Sequence, residues 1–132
     1  MLKSKYFKTR EFACRCGCGY DKPSDVLVKA LDSLREASNA PISITGPLRC
    51  ANHNRSAGGA SNSRHLPRHA DGVDIKIKGK TVRQMVRLAL SIPEFKDGGI
   101  GIYHNRIHVD TRGKKARWEV MSGLKWSDFD EG

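Results

Sequence analysis

Residues 98–111 read Gly-Gly-Ile-Gly-Ile-Tyr-His-Asn-Arg-Ile-His-Val-Asp-Thr. Two short runs rich in β-branched residues, 98–103 and 106–111, flank His104-Asn105, which suits a tight hairpin turn with Asn105 at positive φ. A turn of that length sets the register, so that Ile102 faces Ile107, Gly101 faces His108 and Ile100 faces Val109. Because side chains alternate along a strand, Ile100, Ile102, Ile107 and Val109 share the core face. His108 and Asp110 share the other, across from Gly101 and Gly99, whose missing side chains leave space beside them. A polar pair over a cleared floor predicts a pocket. Taken alone, however, a His and an Asp two positions apart on a strand more often mark a solvated edge.

Upstream, Val73-Asp-Ile-Lys-Ile77 puts Val73, Ile75 and Ile77 on one face and Asp74 with Lys76 on the other, so Asp74 points away from the core. With Ile42 to Thr45, four strands are expected: 42–45, 72–78, 98–103 and 106–111. Two helices flank them. Ser24 can cap one that runs to Ala37, with Leu27, Ala30, Leu31 and Leu34 as its apolar stripe and Asn39 and Pro41 ending it. Thr81 and Gln84 form a capping box for the second, where Val82, Met85, Val86 and Ala89 line one face before Pro93. The pattern predicts an α+β fold: a single small antiparallel sheet with helices covering one face. The expected organisation is one domain over 1–132, with a Cys-rich segment at 12–20 packed on it and an acidic tail at 127–132.

A length of 132 residues supports one core and one site. Lys and Arg outnumber Asp and Glu by 24 to 14, a formal charge of +10, which favours an anionic partner. The basic residues are dispersed and sparsely interleaved with aromatics, which argues against a dedicated nucleic-acid site. No apolar run is long enough for a membrane span, and the first twelve residues lack the apolar core of a signal peptide. The expectation is a protein made in the cytoplasm that reaches any outside target by another route. Three cysteines, Cys14, Cys16 and Cys18, stand in a C-x-C-x-C run, and Cys50 is the fourth. A second metal site, a disulfide, and ordinary thiols in a turn all remain open readings.

Between the first helix and the Asp74 strand runs a long polar stretch, Gly46-Pro-Leu-Arg-Cys-Ala-Asn-His-Asn54 followed by Gly58-Gly-Ala-Ser-Asn-Ser-Arg-His65. It is neither charge-rich nor repetitive, so a structured site loop is expected. These blocks resemble those of zinc peptidases of the D-Ala-D-Ala carboxypeptidase type, a peptidase M15-like family that includes phage L-alanyl-D-glutamate endolysins and shares the hedgehog-type fold. The resemblance rests on Phe12 with the cysteine run, Leu48-Arg-Cys-x-x-His-Asn54, Gly58-Gly-Ala-Ser-x-Ser-x-His65, Asp74-Ile75, and Gly101-Ile-Tyr103 through Ile107-His-Val-Asp-Thr-Arg-Gly113 to Ala116-Arg-Trp118, in the family's order.

The resemblance implies His65, Asp74 and His108 as metal ligands, on the sheet face opposite the helices. Two imidazoles and a carboxylate suit Zn²⁺ and leave a fourth position for water. His69 is a competing first ligand or a cleft residue, because the segment between His65 and Asp74 carries two more residues than the family usually has. Many members place an acid three residues before the third ligand, where this chain has Asn105. That moves the general-base expectation to Asp110, whose other reading is to orient a ligand or pair with Arg112; His104 is a weaker substitute. Arg49 matches an arginine that can hold a substrate carboxylate or an oxyanion. Ser63 is expected to support His65, Tyr103 to contact substrate, and Trp118 to serve as core or cleft wall.

The resulting expectation is a monomeric zinc peptidase acting on peptidoglycan stem peptides at the cell wall, after holin-type release or as a virion component. The alternative is a metal-bearing wall-binding or virion structural module on the same fold.

Overall fold

The computed structural model describes residues 2–56, 58, 63–66 and 69–129. Five strands form one sheet: β1 (Ile42–Gly46), β2 (Gly72–Ile77), β3 (Gly99–Tyr103), β4 (Ile107–Asp110) and β5 (Ala116–Val120), in the spatial order β1-β2-β4-β3-β5. The helices are α1 (Asp25–Ser38), α2 (Ala51–Ser56), α3 (Val82–Leu90) and α4 (Pro93–Lys96), with 3-10 turns at Thr9–Phe12 and Trp126–Asp128.

The four expected strands pair antiparallel. The fifth was not anticipated as a strand, and it lies parallel to β3, so the sheet is mixed rather than wholly antiparallel. The β3–β4 register is the one read from the sequence, with Ile100, Gly101 and Ile102 opposite Val109, His108 and Ile107. Its turn is closed by the Tyr103 N–H donating to the Arg106 carbonyl at 3.0 Å. Asn105 is not among the residues at positive φ, so the turn is made without the left-handed residue expected there.

Both predicted helix starts are built as their sequences indicate. Ser24 Oγ accepts the Leu27 N–H, and Asn39, at φ 49°, ends α1. Thr81 and Gln84 exchange side-chain-to-backbone hydrogen bonds of 2.8 and 3.1 Å at the start of α3. Pro93 does more than stop α3, since it is the first residue of α4.

Helices α3 and α4 pack on β3 and β4, and α1 packs against both helices. Ile100, Ile102, Ile107, Val109, Val73 and Ile75 meet Leu27, Leu31, Leu34, Val86 and Phe95 in a core from which solvent is excluded. The Cys-rich segment sits on this body through buried Phe12 and Cys14, with the Phe12 carbonyl accepting the Leu48 N–H at 3.3 Å. Of the expected acidic tail, 130–132 lie outside the described residues; before them Phe129 is buried in the core cluster. Among the described residues no helix is long and apolar enough to cross a membrane.

Candidate metal centre

The face of the sheet away from α1, α3 and α4 carries Asp74. Asp74 lies directly opposite His108 on β4 and opposite Gly46 on β1. Gly46 is required there by space alone, because a Cβ at this position would stand 2.7 Å from Asp74 Oδ2. His108 is flanked on its other side by Gly101, whose bare backbone lets the Trp118 indole lie over it. Trp118 thereby comes within 5.1 Å of the His108 ring, centroid to centroid.

His65 arrives from the loop before β2. Its Nδ1 is hydrogen-bonded to the Pro47 carbonyl at 2.8 Å and its backbone N–H donates to Ser63 Oγ at 3.2 Å. Its carbonyl accepts the Arg49 N–H at 2.9 Å. This leaves Nε2 aimed inward, 3.6 Å from Asp74 Oδ1, while His108 Nδ1 stands 3.1 Å from the same oxygen. The ligand atoms of His65, Asp74 and His108 lie within 4.8 Å of one another, and all three side chains are buried.

Asp110 occupies a different position from the general base expected of it. Its Oδ2 bonds His108 Nε2 at 2.7 Å, the ring nitrogen opposite the one that faces Asp74. The Gly99 N–H, the Arg112 N–H and two guanidinium nitrogens of Arg112 donate to the same carboxylate. Asp110 is fully buried and takes no part in the described cleft wall. A carboxylate with its lone pairs engaged behind a histidine is suited to fixing that ring's orientation and tautomer, the second of its two readings.

The carboxylates and imidazoles of the centre stabilise one another's charged forms. Burial works against ionisation of Asp74, but hydrogen bonds from His108 and His65 and their charge outweigh it and hold its pKa far below the usual carboxylate range. Burial likewise opposes a charge on His108, yet its bonds to Asp110 and Asp74 raise its pKa above the ordinary imidazole value. Asp110 is held low in the same manner, against its burial, by His108 and Arg112.

The centre opens into a cleft of about 440 Å³ whose wall includes Arg49, Ser63, Tyr103 and Trp118. Three further arginines, Arg64, Arg106 and Arg112, enter the wall without having been singled out for it by the sequence reading. Arg64 makes a bidentate pair with Asp71, at 2.9 and 2.5 Å, and Arg106 lies 3.5 Å from Asp74 Oδ2 with its guanidinium 4.3 Å over the Tyr103 ring. Arg49 bonds Asn54 Oδ1 at 3.4 Å and has no carboxylate partner among the described residues. The spacing of these arginines along the chain follows no pattern, so the one signal available was the count of basic residues.

His69 and His104 are brought into neither the ligand group nor the described wall; His104 is exposed at the hairpin turn. The two residues preceding His69, like 59–62 of the loop motif, lie outside the described residues. Cys14, Cys16, Cys18 and Cys50 are brought together as a second group.

The donor set can be tested against a metal on its own chemistry. Two imidazole nitrogens and one carboxylate oxygen, each imidazole tied by its other ring nitrogen and the third side open to a cleft, fit a three-ligand catalytic Zn²⁺ site. The model of one protein family, described as Peptidase M15, matches residues 5–110. No curated protein matches the chain.

Proposed function

The chain belongs to the peptidase M15 family, and from that premise we propose that it is a zinc-dependent peptidase hydrolysing peptide bonds in peptidoglycan stem peptides. The observation that carries this reading is the convergence of His65, Asp74 and His108 at the base of an arginine-walled cleft.

His65, Asp74 and His108 would hold the ion. The chemistry it supplies when bound is Lewis acidity toward a peptide carbonyl and acidification of water to hydroxide near neutral pH. The chain's own residues prepare that chemistry. Asp110 and the Pro47 carbonyl hold the two imidazoles by the ring nitrogens turned away from Asp74, so that neither ring must reorient. Trp118 and Tyr103 wall the cleft on the β3–β5 side, with the Tyr103 hydroxyl accepting the Trp118 Nε1–H at 3.2 Å. Arg49 offers a guanidinium to a substrate carboxylate or to the oxyanion that develops during attack. Arg49, the wall arginine without a carboxylate partner among the described residues, favours peptides that carry free carboxylates, which stem peptides do through their D-amino acid and glutamate residues. Such a substrate lies outside the cytoplasm, and we place the protein there through holin-type release or virion assembly.

Purified peptidoglycan incubated with zinc-loaded protein should lose turbidity and release free amines, and chelated protein and the His108→Ala variant should do neither. Tight zinc binding without cleavage on several wall types would instead support a wall-binding module. That reading is favoured by one observation: Asp74, already used as a ligand, is the one carboxylate among the described wall residues.

A further inference from the structure

We propose that Cys14, Cys16, Cys18 and Cys50 ligate a second, structural Zn²⁺ that fastens the N-terminal segment to the wall of the cleft. The four sulfurs lie within 4.8 Å of one another. Three of the separations are 3.4 Å for Cys14–Cys16, 3.5 Å for Cys16–Cys50 and 3.9 Å for Cys14–Cys50. Tetrahedral thiolates at the usual Zn–S distance of about 2.3 Å stand about 3.8 Å apart, whereas a disulfide requires about 2.05 Å. The spacing therefore fits ligands around a shared ion rather than bonded pairs.

The fold offers no apolar reason for this gathering. Cys16 and Cys18 are exposed, and two exposed thiols in an ordinary turn would point into water. Instead the chain curls at Gly17 and Gly19, both left-handed at φ 82° and 86°, and the Cys14 N–H closes the loop onto the Tyr20 carbonyl at 2.7 Å. The run thus turns all its sulfurs toward Cys50, which is contributed by a segment 36 residues away. Two backbone donors point at sulfur, the Cys50 N–H at Cys14 Sγ and the His53 N–H at Cys50 Sγ, each at 3.4 Å, as would stabilise thiolates.

Position gives the ion its role. Cys50 separates Arg49, in the cleft wall, from α2, and the Arg49 N–H is bonded to the carbonyl of His65. A tetrathiolate centre is closed, with no position for substrate, so it would act by holding this loop against the segment anchored by Phe12. Binding replaces the thiol protons with the ion and changes no oxidation state.

The test is cobalt and zinc titration of the full chain under reducing conditions. Wild type should take up about two equivalents and show thiolate-to-cobalt charge-transfer absorption, the signature of sulfur ligands. His108→Ala should keep that band and drop to about one equivalent, while Cys18→Ser, left with three thiolates, should weaken the band and yield its cobalt more readily to a chelator, retaining the other equivalent. Zinc should also slow modification of the four thiols by a thiol reagent, and Cys18→Ser should speed amide exchange over 50–54. If Cys18→Ser fails to fold, the His108→Ala protein, which has all four cysteines, still decides the matter. Absence of the band there, thiol reactivity indifferent to zinc, or disulfides persisting in the reduced chain would overturn the proposal.

Discussion

On β4, Ile107 and Val109 point to one side of the sheet and His108 and Asp110 to the other, and all four are buried. The apolar side is held by area and shape: Ile107 and Val109 lie among other aliphatic side chains, and a vacancy there is paid in lost burial. The polar side is held by saturation. Asp110 receives donors from His108, Gly99 and Arg112, and His108 spends its two ring nitrogens on Asp74 and Asp110. Equal burial therefore conceals unequal tolerance. A truncated aliphatic leaves the chemistry of the other face in place, while a truncated polar group leaves partners buried without their bonds.

The sharpest break in this comparison is His108→Ala, which should reduce peptidase activity by at least about 10³-fold, measured as amine release, with the helices intact by circular dichroism. Its counterpart on the other face, Ile107→Ala, should cost about 2–5 kcal/mol in urea unfolding while the folded fraction keeps its metal affinity. Next comes Asp110→Asn, which preserves shape but weakens the hold on His108. It should lower metal affinity by about 10–100-fold in chelator competition while leaving KM for substrate nearly unchanged. Were KM alone to move, Asp110 would be contacting substrate rather than positioning the ligand. Gly101→Ala drives a methyl into the Trp118 indole and should cost about 1–3 kcal/mol, reported by a shift in tryptophan emission. The smallest effect belongs to the helix layer: Thr81→Ala removes the α3 cap and should lower stability by about 1 kcal/mol without altering activity.

Much of the polar face was legible from one strand at a time. Period-2 alternation places Asp74 and His108 opposite the apolar set, and the short turn between Tyr103 and Arg106 is enough to set Gly101 against His108. Less legible was the role of Asp110. Alternation puts it on the same face as His108, and from there a base and a positioning carboxylate look alike. Only the direction of the His108 ring, with Nδ1 toward Asp74 and Nε2 toward Asp110, separates the two. The fifth strand was missed because Ala116–Val120 mixes charged and apolar residues without a clean alternation, and its side chains are half-buried or exposed. Its place comes from a parallel pairing with β3.

The sequence by itself determined α1 and α3 with their caps, though not α2 or α4, the four antiparallel strands, the hairpin register and the faces on which Asp74 and His108 stand. These follow from periods of 3.6 and 2 and from capping and turn chemistry, which operate over a few neighbouring residues. Tertiary structure alone decided what converges: His65 against Asp74, Asp110 behind His108, four arginines from four segments around one cleft, and Cys50 beside the Cys14–Cys18 loop. Those distances depend on how elements far apart in the chain pack together, and no local period carries that information.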